Sequence, residues 1–333
     1  MTVKPILSGA SIHHASLSDV DNTALNGWAL QMQARMESLL DAHMTPASTS
    51  PCHLHEAMRY SVLGGGKRVR ALLAYATGEF CGAQIEHIDM PAAAVEIIHA
   101  FSLVHDDMPC MDDDDLRRGK PSTHKQYGQA MALLVGDALQ SLAFQFISHD
   151  TPIAVSFMQN KPNKAPQYPK NAAQKLHMLH ILAIASGSRG MAGGQAIDLE
   201  STGLTLTLAE LEHMHLQKTG ALIRAAALLG AHCSENLADD KLKAVDHFAQ
   251  SIGLAFQVID DILDAQADTA TLGKTAGKDA QNNKSTYVTI LGLSAAKALA
   301  HELHTNAISA LALFGHEADL LRQLANFITQ RRF

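Results

Sequence analysis

Apolar residues recur at three- and four-residue spacing along most of the chain, the pattern of helices with one buried face. Between residues 24 and 45 the repeat runs through Leu25, Trp28, Met32, Met36 and Leu39, and Pro46 and Pro51 end it. Helices are expected next over 53–63, stopped by Gly64-Gly65-Gly66, and through ALLAYATGEFCG after Lys67, Arg68 and Arg70. The most apolar tracts, near 92–104 and 130–147, are interrupted by Glu96, His99, Asp137 and Gln140. They therefore read as core helices, not membrane spans. Further helices are expected over 173–190, 207–232, 238–265, 286–313 and 316–331, and Gly193-Gly194-Gln195 with Asp198 read as an interruption. Lys218-Thr219-Gly220 reads as a kink inside 207–232, since a helical glycine costs about 1 kcal/mol relative to alanine. No run of alternating β-branched residues stands out, so the fold class is all-α. Residues 1–22 are expected to be a flexible N-terminal segment and 23–333 a single domain. The proline-bearing stretch 150–172 reads as a surface loop, and the polar stretch 266–284, with Lys274, Lys278 and Lys284, as a loop or flap.

Composition narrows the function. The chain has 333 residues, 47% hydrophobic and 18% charged, enough to bury a large core. A net charge of −7 without a basic tail or stripe argues against a nucleic-acid partner. Cys52, Cys81, Cys110 and Cys233 are widely spaced without metal-ligand rhythm, which fits free thiols in a reducing cytoplasm. The N-terminus has no secretory pattern, so a cytoplasmic protein without membrane insertion is expected.

The candidate chemistry sits where apolar helices run into acids. Asp106-Asp107 follow the tract ending at His105, and Asp112 to Asp115 and then Arg117-Arg118 come just after. Six carboxylates within ten positions repel one another unless cations lie among them. Such a run is either a solvated face or a site for Mg²⁺ and a phosphorylated ligand. The pattern repeats in FQVIDDILD, where Asp260, Asp261 and Asp264 close another apolar segment, with Asp260 and Asp264 on one helical face. Two acidic walls facing one cleft are expected. On an uninterrupted helix Asp106 and Asp112 would lie on different faces, being about 600° apart, but a break at Pro109 lets Asp112 fold back. His99, seven residues before Asp106, lies on the face of Asp106, either packed and hydrogen-bonded or taking part. Gly64-Gly65-Gly66 ahead of Lys67, Arg68 and Arg70 is either a diphosphate cradle or a turn with solvated cations.

The blocks GGGKRVR, IIHAFSLVHDDMPCMDDDDLRRGKPSTH, GGQAIDL, HLQKTGALIR, FQVIDDILD and TLGKTAGKD, in this order, resemble the short-chain trans-isoprenyl diphosphate synthases, the bacterial farnesyl type above all. The resemblance spans about residues 52 to 331. It implies an antiparallel helical bundle around a deep central cavity, a homodimer, and condensation of isopentenyl diphosphate with dimethylallyl or geranyl diphosphate. It implies that Asp106, Asp107, Asp112, Asp260, Asp261 and Asp264 hold three Mg²⁺ ions, with Asp260 the most direct ligand of its motif. Arg117, Lys218 and Lys274 would contact the allylic diphosphate; Lys67, Arg70, His99 and Arg118 would bind isopentenyl diphosphate; Thr219 and Gln257 would sit near the developing carbocation.

Product length falls to Phe101, five residues before Asp106 and about 7.5 Å further down the helix. It is either a floor that stops growth at farnesyl diphosphate or an ordinary packing residue. Geranylgeranyl diphosphate synthase, a non-catalytic partner subunit of the same fold and a terpene cyclase are the alternatives. The chain departs from the family at Asn283 and Val288, which flank the late Lys-Ser-Thr-Tyr segment.

Overall fold

The computed structural model describes residues 23–148, 171–266 and 285–329. The N-terminal segment 1–22, nearly all of the 150–172 loop, and all but Gln266 of the 266–284 flap, with Lys274, lie outside the described residues, as does Asn283. What is described is a bundle of helices, as the periodicity predicts. In chain order these are α1 (Thr23–His43), α2 (Cys52–Val62), α3 (Val69–Phe80), α4 (Ile85–Asp106), α5 (Thr123–Tyr127), α6 (Gln129–Ser148), α7 (Ala172–Ser186), α8 (Met191–Glu200), α9 (Leu208–His215), α10 (Ala221–Ala231), α11 (Asp239–Gln266), α12 (Tyr287–Leu291), α13 (Leu293–Ala310) and α14 (Asp319–Thr329). One antiparallel hairpin, β1 (Leu116–Arg117) with β2 (Lys120–Pro121), was not legible from alternation because its strands are two residues long.

Helix α1 shows how the pattern builds the core. Leu25, Ala29, Met32, Met36 and Leu40 fall on one face and are buried. Helices α3, α4 and α10 pack on one another at the centre, with α6 against α4. Their alanines (Ala92, Ala93, Ala94, Ala226 and Ala227) are buried and allow close approach of the helix axes. Around them Leu72, Leu73, Tyr75, Ile97, Ile98, Leu139 and Phe248 fill the interior. A second cluster, including Leu211, Met214, Val258, Ile259, Ile262 and Tyr287, packs α9, α12 and α13 around the C-terminal part of α11. It fixes the end of the helix that carries the second acidic motif. By length and composition α4 and α6 could cross a membrane, but most of α4's apolar window is buried inside the bundle.

Three helical readings differ from expectation, one being the helix expected over 286–313, which breaks at Gly292 (φ 80°) between α12 and α13. Helix α4 begins at Ile85, not near 91, and runs through Pro91. The missing N–H there removes one helical hydrogen bond, a loss that burial of the surrounding alanines and isoleucines outweighs. Gly193 and Gly194 do not interrupt the chain but lie inside α8. A β-carbon on Gly194 would strike the Lys218 backbone nitrogen, and one on Gly193 the Ser188 carbonyl oxygen. These glycines are there for close approach, not for a turn. The expected kink is real: Leu216–Gly220 form a π-helical turn between α9 and α10.

Candidate functional site

The first acidic wall is the C-terminus of α4 and the loop beyond it. After Asp107 the chain doubles back: Asp112 N donates to Asp106 O at 2.9 Å, Asp113 N to Met108 O at 3.1 Å and Asp114 N to Asp107 O at 3.2 Å. The break at Pro109 thus brings Asp112 beside Asp106. Burial pushes the Asp106 carboxyl up to about 6; Asp112 and Asp107 add to the rise, while Lys218 and Arg117 oppose it. Asp107 is buried and held by Arg117, whose Nε donates to its two oxygens at 3.0 and 3.1 Å; Arg117 also reaches Asp114 at 3.3 Å.

The second wall is the end of α11. Asp261 is buried, and its two oxygens accept from Gln257 Nε2 at 3.1 Å and from Tyr287 N at 2.8 Å. Asp260 and Asp264 are only partly buried. Thr219 Oγ1 donates to Gln257 Oε1 at 3.3 Å, which links the π-turn to this motif. The π-turn also presents Lys218, whose Nζ donates to Asp198 Oδ2 at 2.7 Å.

The third part of the site is a cationic element. Gly64, Gly65 and Gly66 all have positive φ (96°, 97° and 117°), which only glycine adopts without strain, and Arg68 follows at φ 48° as the N-cap of α3. This backbone is held from beneath. Glu37 on α1 accepts from Gly64 N at 2.5 Å, Gly65 N at 3.3 Å and Arg68 Nη2 at 2.7 Å. Glu96 on α4 accepts from Ala71 N at 3.0 Å and from Arg68 Nη1 at 3.4 Å. Arg68 also donates to Val62 O at 2.7 Å. Although burial works the other way, Glu96 and Glu37 keep the Arg68 guanidinium above its ordinary value.

The neighbouring cations behave oppositely. Desolvation pulls Arg70 below its ordinary value, and the fields of Glu96 and Asp260 only partly restore it. The Arg118 head donates to Gly65 O at 2.6 Å, and desolvation followed by the charge of Arg68 lowers it. Burial, and then Arg70, Arg118, Arg68 and Arg117 in turn, push His99 well below its usual range, so it is neutral at pH 7. Lys67 is exposed, and its backbone carbonyl accepts from Gln33 at 2.9 Å.

With this geometry in view, the comparisons are consistent. A family model described as "Polyprenyl synthetase" matches residues 51–313. The chain belongs to that family. It is 44% identical over 303 residues to a farnesyl diphosphate synthase of Haemophilus influenzae, covering 91% of this chain and 97% of that one. It is 47% identical over 279 residues to the farnesyl diphosphate synthase of Escherichia coli, covering 83% and 88%. An apo crystal structure of an FPP/GFPP synthase from Zymomonas mobilis superposes with a TM-score of 0.78 at 37% identity, covering 92% of this chain and 98% of that one.

Within this polyprenyl synthetase fold, sequence reasoning named Arg70, His99, Arg118, Lys218, Thr219, Gln257 and both aspartate motifs, and the described residues bring these to one region. Arg70 feels the charge of Asp260, and Asp106 that of Lys218. Phe101 lies edge-on to the His105 ring, centroids 5.2 Å apart, and packs against the core; His105 in turn reaches Leu133 O on α6 at 3.1 Å. Sequence reasoning missed Glu37, Arg68, Glu96 and Asp198 as supports. A glutamate alone in the buried run of α4 was a usable signal for Glu96. Nothing local marked Glu37, 27 residues from the turn it holds.

Proposed function

We propose that this polyprenyl synthetase is a trans-prenyltransferase that condenses isopentenyl diphosphate with dimethylallyl and then geranyl diphosphate to give (2E,6E)-farnesyl diphosphate. The observation that carries this reading is the pairing of cations depressed chiefly by desolvation (Arg70, Arg118) with a carboxyl raised to about 6 (Asp106) in one region. Each set is stabilised by what the reaction brings: an anionic diphosphate for the first and divalent cations for the second.

Arg70, Arg118 and Lys67 would grip isopentenyl diphosphate, and neutral His99 would donate a hydrogen bond to it. Arg117 and Lys218 would turn from Asp107 and Asp198 towards the allylic diphosphate, joined by Lys274. The donor set fits Mg²⁺: Asp106, Asp112, Asp260 and Asp264 are carboxylates of the two acidic motifs, and three ions are expected. Asp107 and Asp261 have their oxygens in use by Arg117, Gln257 and Tyr287 N, so their part is to orient the motifs unless those partners release them. Bound Mg²⁺ would supply positive charge that stabilises the departing diphosphate. As the allylic C–O bond breaks, its electron pair leaves with the diphosphate. The double bond of isopentenyl diphosphate then attacks the allylic carbon. The proton lost from the new tertiary cation goes to the diphosphate, so no side-chain nucleophile is required. Thr219 and Gln257 would set their dipoles beside the cation.

Incubation with Mg²⁺, isopentenyl diphosphate and dimethylallyl diphosphate, followed by chromatography of the dephosphorylated products, tests the reading. A main fifteen-carbon product is expected; a twenty-carbon one would assign a geranylgeranyl diphosphate synthase, and none at all a non-catalytic subunit. Phe101→Ala separates its two roles. As a floor its loss yields longer products in a folded protein; as packing it lowers the melting point and leaves the product unchanged. A homodimer, supported by the exposed Leu133 and Leu134 on α6, would be read by sedimentation.

A further inference from the structure

Asp113, Asp115 and His124 lie just beyond the first acidic wall, and the sequence motifs give them no task. One oxygen from each aspartate and one ring nitrogen of His124 lie within 4.8 Å of one another. Two exposed aspartates alone would mean little, because acidic loops are common. The second observation is His124. It is only 5% exposed, and its Nε2 is buried without a hydrogen-bond partner. That nitrogen lies 3.9 Å from Asp113 Oδ1, a separation too long for a hydrogen bond.

The Nδ1-protonated tautomer of the ring presents Nε2 as a metal-bound imidazole does. Nδ1 lies 3.0 Å from Ser122 Oγ, and the Ser122 backbone N donates to Asp115 O at 2.9 Å. With Nδ1–H donated to Ser122, the Nε2 lone pair points into the cluster, the arrangement by which an outer partner fixes a histidine ligand. Asp113 sits at φ 48°, in the left-handed region that aspartate enters more readily than most side chains. Asp115 also pairs with exposed Lys125 at 2.7 Å, a contact that a cation would displace or share.

We propose that Asp113, Asp115 and His124 form a second divalent-metal site, separate from the Asp106/Asp112 wall. One imidazole nitrogen with two carboxylates suits a first-row transition ion such as Mn²⁺, Co²⁺ or Zn²⁺ better than Mg²⁺, which favours an all-oxygen shell. The ion would tie the loop before β1 to α5, closing the base of the hairpin that carries Arg117 and Arg118. The proposal does not depend on the reaction assigned above.

The probe is Mn²⁺ added to the full chain without any diphosphate, read by pulsed electron paramagnetic resonance. The aspartate walls offer only oxygen, so a coupling to directly bound imidazole ¹⁴N reports the new site. The wild type should show that coupling, and His124→Gln should lose it. Asp115→Asn, an exposed change that leaves the core intact, should weaken the nitrogen-coupled Mn²⁺ at least tenfold with unchanged far-ultraviolet circular dichroism. Should His124→Gln fail to fold, Asp115→Asn carries the test. Absence of ¹⁴N coupling in the wild type, its survival in folded His124→Gln, or unaltered Mn²⁺ affinity in Asp115→Asn overturns the site.

Discussion

Arg68 and Arg70 are two residues apart, yet they belong to different physical regimes. Arg68 lies beneath the glycine turn between Glu37 and Glu96, and its charge is strengthened there. Arg70 makes no ion pair of that kind among the described residues, and desolvation weakens its charge. The first belongs to an ion-pair network with Glu37 and Glu96 that the chain itself supplies. The second, with Arg118 and Asp106, belongs to a surface whose charges the chain itself leaves under strain. The contrast separates cations that hold the fold from those poised for a ligand.

The comparison breaks most sharply at Arg68. Arg68→Ala leaves buried Glu96 and half-buried Glu37 without their shared cation, and a loss of about 3–5 kcal/mol is expected by denaturant titration. Adding Glu96→Gln should recover part of it. On the acidic side, Asp260→Ala should lower kcat about a hundredfold or more, roughly 3 kcal/mol at the transition state, with the melting temperature little changed. Wild-type turnover in excess chelator should fall as far.

Asp106 gives the opposite sign for stability. Its folded carboxyl holds a proton more tightly than the unfolded one, from 3.8 up to about 6. The metal-free protein therefore loses stability as pH rises from about 4 to 6. Asp106→Asn removes that penalty and should stabilise the chelated protein by about 1–3 kcal/mol at pH 7–8, with the gain shrinking towards pH 4. A thermal-melt series across pH reads this directly. The smallest effect is expected at Arg70. Arg70→Ala should raise the KM for isopentenyl diphosphate about tenfold, near 1.4 kcal/mol, with little change for the allylic substrate. An equal rise in both would erase the distinction drawn between the two regions.

The sequence carried the helices and the acids because both are local. Three- and four-residue periodicity marks a buried face, and an apolar helix that ends in aspartates marks the site. Supports set by tertiary approach were not legible. Glu37 and Gly64 meet across 27 residues, and Gly194 looks like a breaker until Lys218 packs against it. The start of α4 was placed late because its most apolar tract begins near residue 92, whereas the helix starts at Ile85 and runs through Pro91.

The π-turn at Leu216–Gly220 has a consequence for chain length. Such a turn is one residue too many for a regular α-helix. Removing any single residue there would heal the helix, and by local criteria would improve it. It would leave α9 and α10 facing much as before, because the π-turn absorbs its extra residue locally, but would remove the bulge that presents Lys218 and Thr219. Tolerance to deletion should thus be lowest where the helix is least regular. Across the lineage this segment should drift by substitution while its residue count stays fixed.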